Sequence, residues 1–413
     1  MGISDYFIDE GVPYYRGQDA GAFFIENSNP ICIDEKTFEL PVMKRSHLKK
    51  GDVILSIVGT IGSLSLVYSD KSATCSCKLA ILRPKEGKNA ELLATFLRGK
   101  YGQAQITRFT RGAVQKGLIL EDMDQLVVPV FGDGIVEAIR NAIQSAYQIQ
   151  EKANNCYREA QRTLVNSVGS ISVPAESVSV RNISTSFYTT GRLDAEYYQP
   201  KYDALFTALS TIKTKKLGGA HGIVNIEKSI EPSSEVYVED GIPFVRVSDV
   251  SKFEISEPEV KLRNDILPNP EVLFPQKDTI LLSKDGSVGI AYKTESTMPV
   301  ITSGALLHLT VRNKAEVLPD YLTLVLNSPI VQLQAERDSN GAIIQHWKPS
   351  EIENVIIPVL DMDIQKEIAT KVQESFALRK QSKQLLEYAK QAVEMAIEQG
   401  EDVAMEWLKD KVN

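Results

Sequence analysis

The sequence predicts an α+β protein: two mixed α/β globular units joined by two long helices that pair as an antiparallel coiled coil, with a pseudo-twofold internal repeat. Three observations predict it. Motifs near the start return in the same order about 229 residues later, each copy ends in an apolar stripe at helical spacing, and short apolar runs bounded by Gly, Pro, Ser and Asp fill the stretches between. A chain of 413 residues with 43% hydrophobic and 24% charged composition is ordinary for a globular protein of two or three domains, which excludes disordered and fibrous classes.

The repeat is explicit. Gly11-Val12-Pro13-Tyr14-Tyr15-Arg16 with Asp19 returns as Gly241-Ile242-Pro243-Phe244-Val245-Arg246 with Asp249. Asp52-Val53-Ile54-Leu55 with Gly59 and Gly62 returns as Asp278-Thr279-Ile280-Leu281 with Gly286 and Gly289, and Gly112-Ala113 with Pro129-Val130 returns as Gly341-Ala342 with Pro358-Val359. Between 112–130 and 341–359 only 4 of 19 positions are identical, so a shared framework with different surfaces is expected.

In chain order, the first globular unit is expected over 1–131. Its runs at 52–58 and 78–82 read as strands, a helix is expected around 91–107, and Gly59 and Gly62 mark a turn that tolerates positive φ. The first long helix follows over 132–172, striped by Ile135, Ile139, Ile143, Ile149 and Leu164. Residues 173–215 read as a linker, 216–360 as the second unit, with a helix around 320–336, and 361–413 as the second long helix and a tail, striped by Ile364, Ile368, Val372, Leu385 and Val393. A stripe this narrow needs a partner, and the other copy's helix is the simplest one. About 40 residues, from Arg192 to near Ser229, precede the start of the repeat in the second copy, and nothing equivalent precedes Gly11, so the first unit is expected to be shortened at its N-terminus.

The composition narrows the function. No apolar stretch reaches membrane-spanning length and no signal peptide is evident, so a cytoplasmic location without membrane contact is the default. Cys32, Cys75, Cys77 and Cys156 read as free thiols, and four scattered histidines give no metal site. Nucleophile elbows, P-loops, zinc helices and kinase motifs are absent, so no catalytic residue is assigned. Carboxylates such as Asp122 and Asp124 read as a solvated face. A net charge of -8 excludes a protein that coats nucleic acid nonspecifically, since such proteins are usually basic.

Basic and hydrogen-bonding side chains nevertheless recur at equivalent places in the copies. One zone holds Arg16 and Gln18, matched by Arg246 and Ser248; a second holds Lys44 and Arg45 on the approach to a strand; a third holds Arg108, Arg111, Gln115 and Lys116, matched by Arg337, Asn340, Gln345, His346 and Lys348; Lys284 is a further candidate in the second copy. Such side chains read base edges and neutralise phosphates, which makes these sixteen residues candidate DNA contacts. Residues 1–131 carry 16 basic against 15 acidic side chains, whereas 216–360 carry 13 against 20, so the second unit alone is expected to bind weakly.

At this point the chain resembles the specificity subunit of Type I restriction-modification enzymes along nearly its whole length. The carriers are the twice-used Gly-Ile/Val-Pro-aromatic-x-Arg segment, the Gly51-Asp52-Val53-Ile54-Leu55-Ser56 run with Gly59 and Gly62, the Gly-Ala to Pro-Val end leading into each helix, and Arg192-Leu193-Asp194-Ala195-Glu196-Tyr197-Tyr198. The resemblance implies two target recognition domains, each reading half of a bipartite, asymmetric site on double-stranded DNA, spaced by the helices. It implies a noncatalytic subunit that docks methyltransferase and restriction subunits, whose S-adenosylmethionine and ATP are held by those partners, with self-association as a further option. The alternative is a coiled-coil scaffold of the same descent that binds no DNA.

Overall fold

The computed structural model describes residues 3–25, 30–112, 116–169, 178–341 and 344–412. The chain forms two compact units, Met1–Lys152 with Leu378–Asn413, and Ala153–Ala377.

The first unit contains β1 (Phe7–Ile8), β2 (Val12–Tyr15), β3 (Cys32–Ile33), β4 (Val53–Ser56), β5 (Leu64–Leu66), β6 (Thr74–Cys75) and β7 (Leu79–Leu82). They form two sheets, in the orders β1-β3-β2-β6 and β5-β4-β7. β4 is buried along its whole length, which suits its unbroken apolar run at the centre of a sheet covered on both faces. The helix expected around 91–107 is two helices, Ala90–Arg98 and Lys100–Phe109. Asn89 caps the first by accepting the Leu92 N–H at 2.7 Å. The break at Gly99 folds the second back so closely that a Cβ on Gly102 would stand 2.4 Å from the Leu97 Cα, a packing that periodicity alone does not announce.

The second unit contains β8 (Thr214–Lys216), β9 (Val224–Lys228), β10 (Tyr237–Val238), β11 (Ile242–Val245), β12 (Lys261–Leu262), β13 (Ile280–Ser283), β14 (Ala291–Lys293), β15 (Ile301–Thr302), β16 (Leu306–Val311) and β17 (Ile356–Pro358). Its sheets run β10-β12-β11-β15, β14-β13-β16-β9 and β17-β8. For the seven strands of the first unit the repeat therefore holds in register, β1–β7 matching β10–β16. Val12 and Pro13 face Ile33 and Cys32 as Ile242 and Pro243 face Leu262 and Lys261, and Val53 faces Leu82 as Ile280 faces Leu309. The helix expected around 320–336 is again two, Pro319–Leu326 and Pro329–Asp338, because Pro329 starts a new helix after Ser328.

Two segment assignments change. The described part of the stretch read as a linker holds the helix Pro200–Ser210 and strand β8, with Leu205 and Leu209 buried in the second unit's core, so it belongs to that unit. Tyr202, Leu205 and Leu209 are buried and Phe206 packs beside them, a helical spacing that the linker reading passed over. The tail is a separate helix, Glu401–Val412, set off by Gly400 at φ 98°. Ala404 and Leu408 complete the first unit's core.

The long helices are Asp133–Val168 and Met362–Gln399. In the first unit Ile135, Ile139, Ala142, Ile143 and Ala146 pack with Ala389, Ala392, Val393 and Ala396, and buried Ser382 donates its hydroxyl to the Ala146 carbonyl at 2.8 Å. In the second unit Tyr157, Ala160 and Leu164 share a core with Ile368 and Val372, and buried Ser375 donates to the Ala153 carbonyl at 2.8 Å. Each hydroxyl thereby keeps a partner in an apolar seam, where an unmade bond costs about 1–3 kcal/mol. Ile149, Ile364 and Leu385 are half-buried. Both stripes also rest on strands and short helices of the globular cores, so they serve as core walls as well as a helix pair. No described helix is long and apolar enough to cross a membrane.

Candidate nucleic-acid interface

Each unit builds one loop and one turn side by side. In the first, Arg111 and Gly117 exchange backbone hydrogen bonds of 2.9 and 2.7 Å that close the loop between them, and the Leu118 N–H donates to the Ile57 carbonyl at 3.0 Å. In the second, Asn340 and His346 exchange bonds of 2.9 and 2.7 Å, and the Trp347 N–H donates to the Lys284 carbonyl at 2.8 Å. Both loops thus lie against a Gly turn whose glycines take φ values of 84° and 87° at Gly59 and Gly62, and 73° and 87° at Gly286 and Gly289. A side chain there is strained.

A glutamine fixes each turn to the helix pair beside it. Gln103 Nε2 donates to the carbonyls of Gly62 at 3.0 Å and Leu97 at 2.7 Å, and Gln332 Nε2 to those of Gly289 at 2.8 Å and Leu326 at 2.9 Å. A Cβ on either Gly62 or Gly289 would collide with this amide, at 2.7 and 2.9 Å. The sequence reading missed both glutamines, although their spacing of 229 residues is that of the repeat. A search for polar as well as apolar repeats finds them.

The candidate contacts divide by environment. Arg16 and Arg246 open short turns in which their own N–H donates to Asp19 Oδ2 at 2.7 Å and Asp249 Oδ2 at 2.8 Å, leaving Gln18 and Ser248 exposed. Thr60 Oγ1 donates to the Gly17 carbonyl at 3.1 Å, so in the first unit this turn adjoins the Gly turn. Lys44 and Arg45 are exposed on a short helix tied instead to β6 through Ser46 and Thr74, whose hydroxyls are 2.8 Å apart. Arg108 and Lys116 are exposed. Gln115, Ala113 and Ala342 lie outside the described residues.

Arg111 is held by Asp122, Nη2 to Oδ1 at 2.6 Å, and that carboxylate is buried, which corrects the reading of Asp122 as solvated. Arg337 also has a packing role. It binds Asp338 at 2.7 Å and lies over the rings of Phe206 at 4.5 Å and Tyr197 at 5.1 Å, mostly buried. In the second unit Lys284 pairs with Asp285, which His346 Nδ1 also meets at 2.8 Å. Burial raises the Asp285 pKa, yet hydrogen bonds from Lys284 and His346 outweigh it and hold the carboxyl below its usual range. Asn340, Gln345, His346 and Lys348 are exposed around this cluster, whereas the corresponding first-unit turn is lined by Ile57 and Val58.

Cys32, Cys75, Cys77 and Cys156 are free, and burial pushes the Cys75 thiol up to about 12. Among the described residues no group of His, Cys, Asp and Glu is placed to hold a metal ion.

Residues 209–388 match the Type I restriction modification DNA specificity domain. That match covers less than half of the chain. The chain is also similar to the solved S subunit from M. genitalium, with 16% identity, coverage of 99% of this chain and 91% of that one, and a TM-score of 0.35. A second similar structure is the HsdS subunit from Thermoanaerobacter tengcongensis, with 15% identity, coverage of 98% and 93%, and a TM-score of 0.32. At these TM-scores the likeness adds no argument to the family match. No curated protein matches this chain in sequence.

Proposed function

We propose that the protein reads a bipartite, asymmetric site on double-stranded DNA, one half through each loop-and-turn pair, and performs no catalysis itself. One observation carries this reading: the same backbone apparatus is built twice, and its exposed side chains differ. Identical backbones present a reading head at the same place in each unit, while side chains set which base edges it accepts. The first head carries Arg111 and Lys116 beside an apolar turn, and the second carries Asn340, Gln345 and His346 beside the Lys284–Asp285 pair. Asn and Gln suit adenine, and Arg and Lys suit guanine or phosphate.

Methyltransferase and restriction subunits would dock along the long helices, bringing S-adenosylmethionine and ATP with them, and affinity would come from the phosphate contacts of the whole assembly. The test is co-expression with the partner methyltransferase and genome-wide mapping of methyladenine. An asymmetric, gapped motif is expected, and the Asn340→Ala, Gln345→Ala double variant should relax only one half of it. A palindromic motif overturns the assignment of different half-sites.

A further inference from the structure

We infer that Asp285 fixes the tautomer of His346 so that the ring presents a bare Nε2, a hydrogen-bond acceptor for the exocyclic amino group of adenine or cytosine. The inference rests on the DNA reading proposed above and gives one side chain of the second head its chemical preference. Its foundation is the backbone. Asp285 and Asn340 each bridge to His346 as antiparallel neighbours, and the Gly286 N–H donates to the Gln345 carbonyl at 2.9 Å. The Trp347 N–H donates to the Lys284 carbonyl at 2.8 Å, and the Lys284 N–H to the Ala305 carbonyl at 2.9 Å. Residue 346 is thus held from both neighbouring segments, and a side chain that reads a base needs such a fixed root.

Three side chains lead outward from this frame. That of Lys284 is 13% exposed, that of Asp285 25% and that of His346 61%. Lys284 Nζ pairs with Asp285 Oδ2, and His346 Nδ1 lies 2.8 Å from Asp285 Oδ1. The ammonium is therefore the inner counter-ion of the carboxylate, and the imidazole, the most exposed of the three, meets the other oxygen. Burial acts to raise the Asp285 pKa, but hydrogen bonds from Lys284 and His346 hold it below the usual carboxylate range, so at neutral pH Asp285 is ionised and can only accept. The proton in its contact with the ring belongs to Nδ1. A neutral imidazole protonated there carries its lone pair on Nε2.

In the major groove an acceptor is matched by N6 of adenine or N4 of cytosine and opposed by O6 of guanine or O4 of thymine. One position of one half-site is therefore adenine or cytosine. Arg and Lys, which only donate, cannot make this choice. The first unit builds the same backbone without the device. Val58 bridges to Gly117 where Asp285 bridges to His346, and Ile57 offers its carbonyl where Lys284 does. The preference accordingly belongs to the half-site read by the second unit.

The test has two readouts. In the full chain with isotopically labelled histidine nitrogens, NMR reports the tautomer of His346, whose signals are located by their loss in His346→Ala. A proton on Nδ1 and none on Nε2 is expected in the native chain, and an exchanging mixture in Asp285→Asn, whose amide both donates and accepts. Unchanged signals from His308, buried in the same unit, show that the variant is folded. A proton on Nε2, or protons on both nitrogens at the pH where the complex methylates, overturns the inference. In the complex with the partner methyltransferase, motif mapping should show one position restricted to adenine or cytosine, and His346→Ala and Asp285→Asn should each relax that position and no other. On a synthetic duplex, an analogue lacking the amino group of the base found there should weaken binding of the native complex about tenfold and leave that of His346→Ala unchanged. A motif that both variants keep intact overturns this inference alone, since DNA reading then proceeds without it. A complex that methylates no site overturns it together with the DNA reading, whatever tautomer the ring adopts.

Discussion

Leu82 and Leu309 occupy one position in two copies of the same sheet, opposite Val53 and Ile280, yet Leu309 is fully buried and Leu82 only half-buried. The backbone, the register and the partner strand are shared. What differs is β9, which extends the second sheet by one strand and closes its outer edge. The same contrast separates Gln334 from Gln105, which clamp equivalent strands through equivalent bonds, one fully buried and one half-exposed. Duplication therefore preserved the bonds that define the frame and left burial to the segments packed around it. Since burial sets the strength of each bond and contact, equal geometry in the two units predicts unequal energetics.

The largest expected difference lies at the leucine pair. Leu309→Ala should destabilise the second unit by about 2–5 kcal/mol through a cavity in a closed core, and Leu82→Ala should cost the first unit about half as much. Each unit holds one of the chain's two tryptophans, Trp347 and Trp407, so urea unfolding read by fluorescence, in single-Trp backgrounds, resolves them. Equal costs would show that the β7 edge is covered in solution.

A pH effect comes next. His308 is buried in the second unit, its Nε2 is 2.7 Å from Thr302 Oγ1, and burial lowers its pKa to about 4. The equivalent place in the first unit holds Ile81, which faces Ile54 as His308 faces Leu281. The unfolded chain binds this proton near pH 6.5 and the folded unit resists it, so stability is complete above about pH 6.5 and is lost as pH falls toward 4, by up to about 3 kcal/mol. Urea midpoints across this range should fall more for the second unit, and His308→Gln should remove the excess. An unchanged slope in that variant would refute the assignment.

The smallest contrast belongs to the clamps. Gln334→Ala should cost about 1–3 kcal/mol by emptying the buried site of its side chain and orphaning the half-buried Ile356 amide, and Gln105→Ala about 1 kcal/mol or less, because water reaches Val127. Hydrogen exchange at Ile356 and Val127 measures both, and matching losses would contradict the burial argument.

How much was legible follows from the kind of signal each feature leaves. Gly59, Gly62, Gly286 and Gly289 announced their turns because only glycine adopts positive φ freely, and the structure places all four there. The long helices announced themselves by a period sustained over about ten turns. The breaks at Gly99 and Ser328 were lost because two short helices with apolar faces look like one. The described part of the stretch read as a linker became helix and strand, although Tyr202, Leu205, Phe206 and Leu209 stand at helical spacing, because a signature of three turns is short beside the long stripes. Among the candidate DNA contacts, residue type separated none of the exposed side chains from Arg337, which lies against Tyr197 and Phe206.

By itself the sequence determined the duplication, the order of strands and turns, and the positions where glycine or an apolar stripe is required, because these depend on local backbone geometry and spacing. Only the tertiary structure decided which unit has a closed sheet, which arginine is spent on packing, and that the terminal helix fills the first core. Those outcomes depend on contacts between residues far apart in the chain, and burial, unlike φ or period, is a property of the surroundings rather than of the residue.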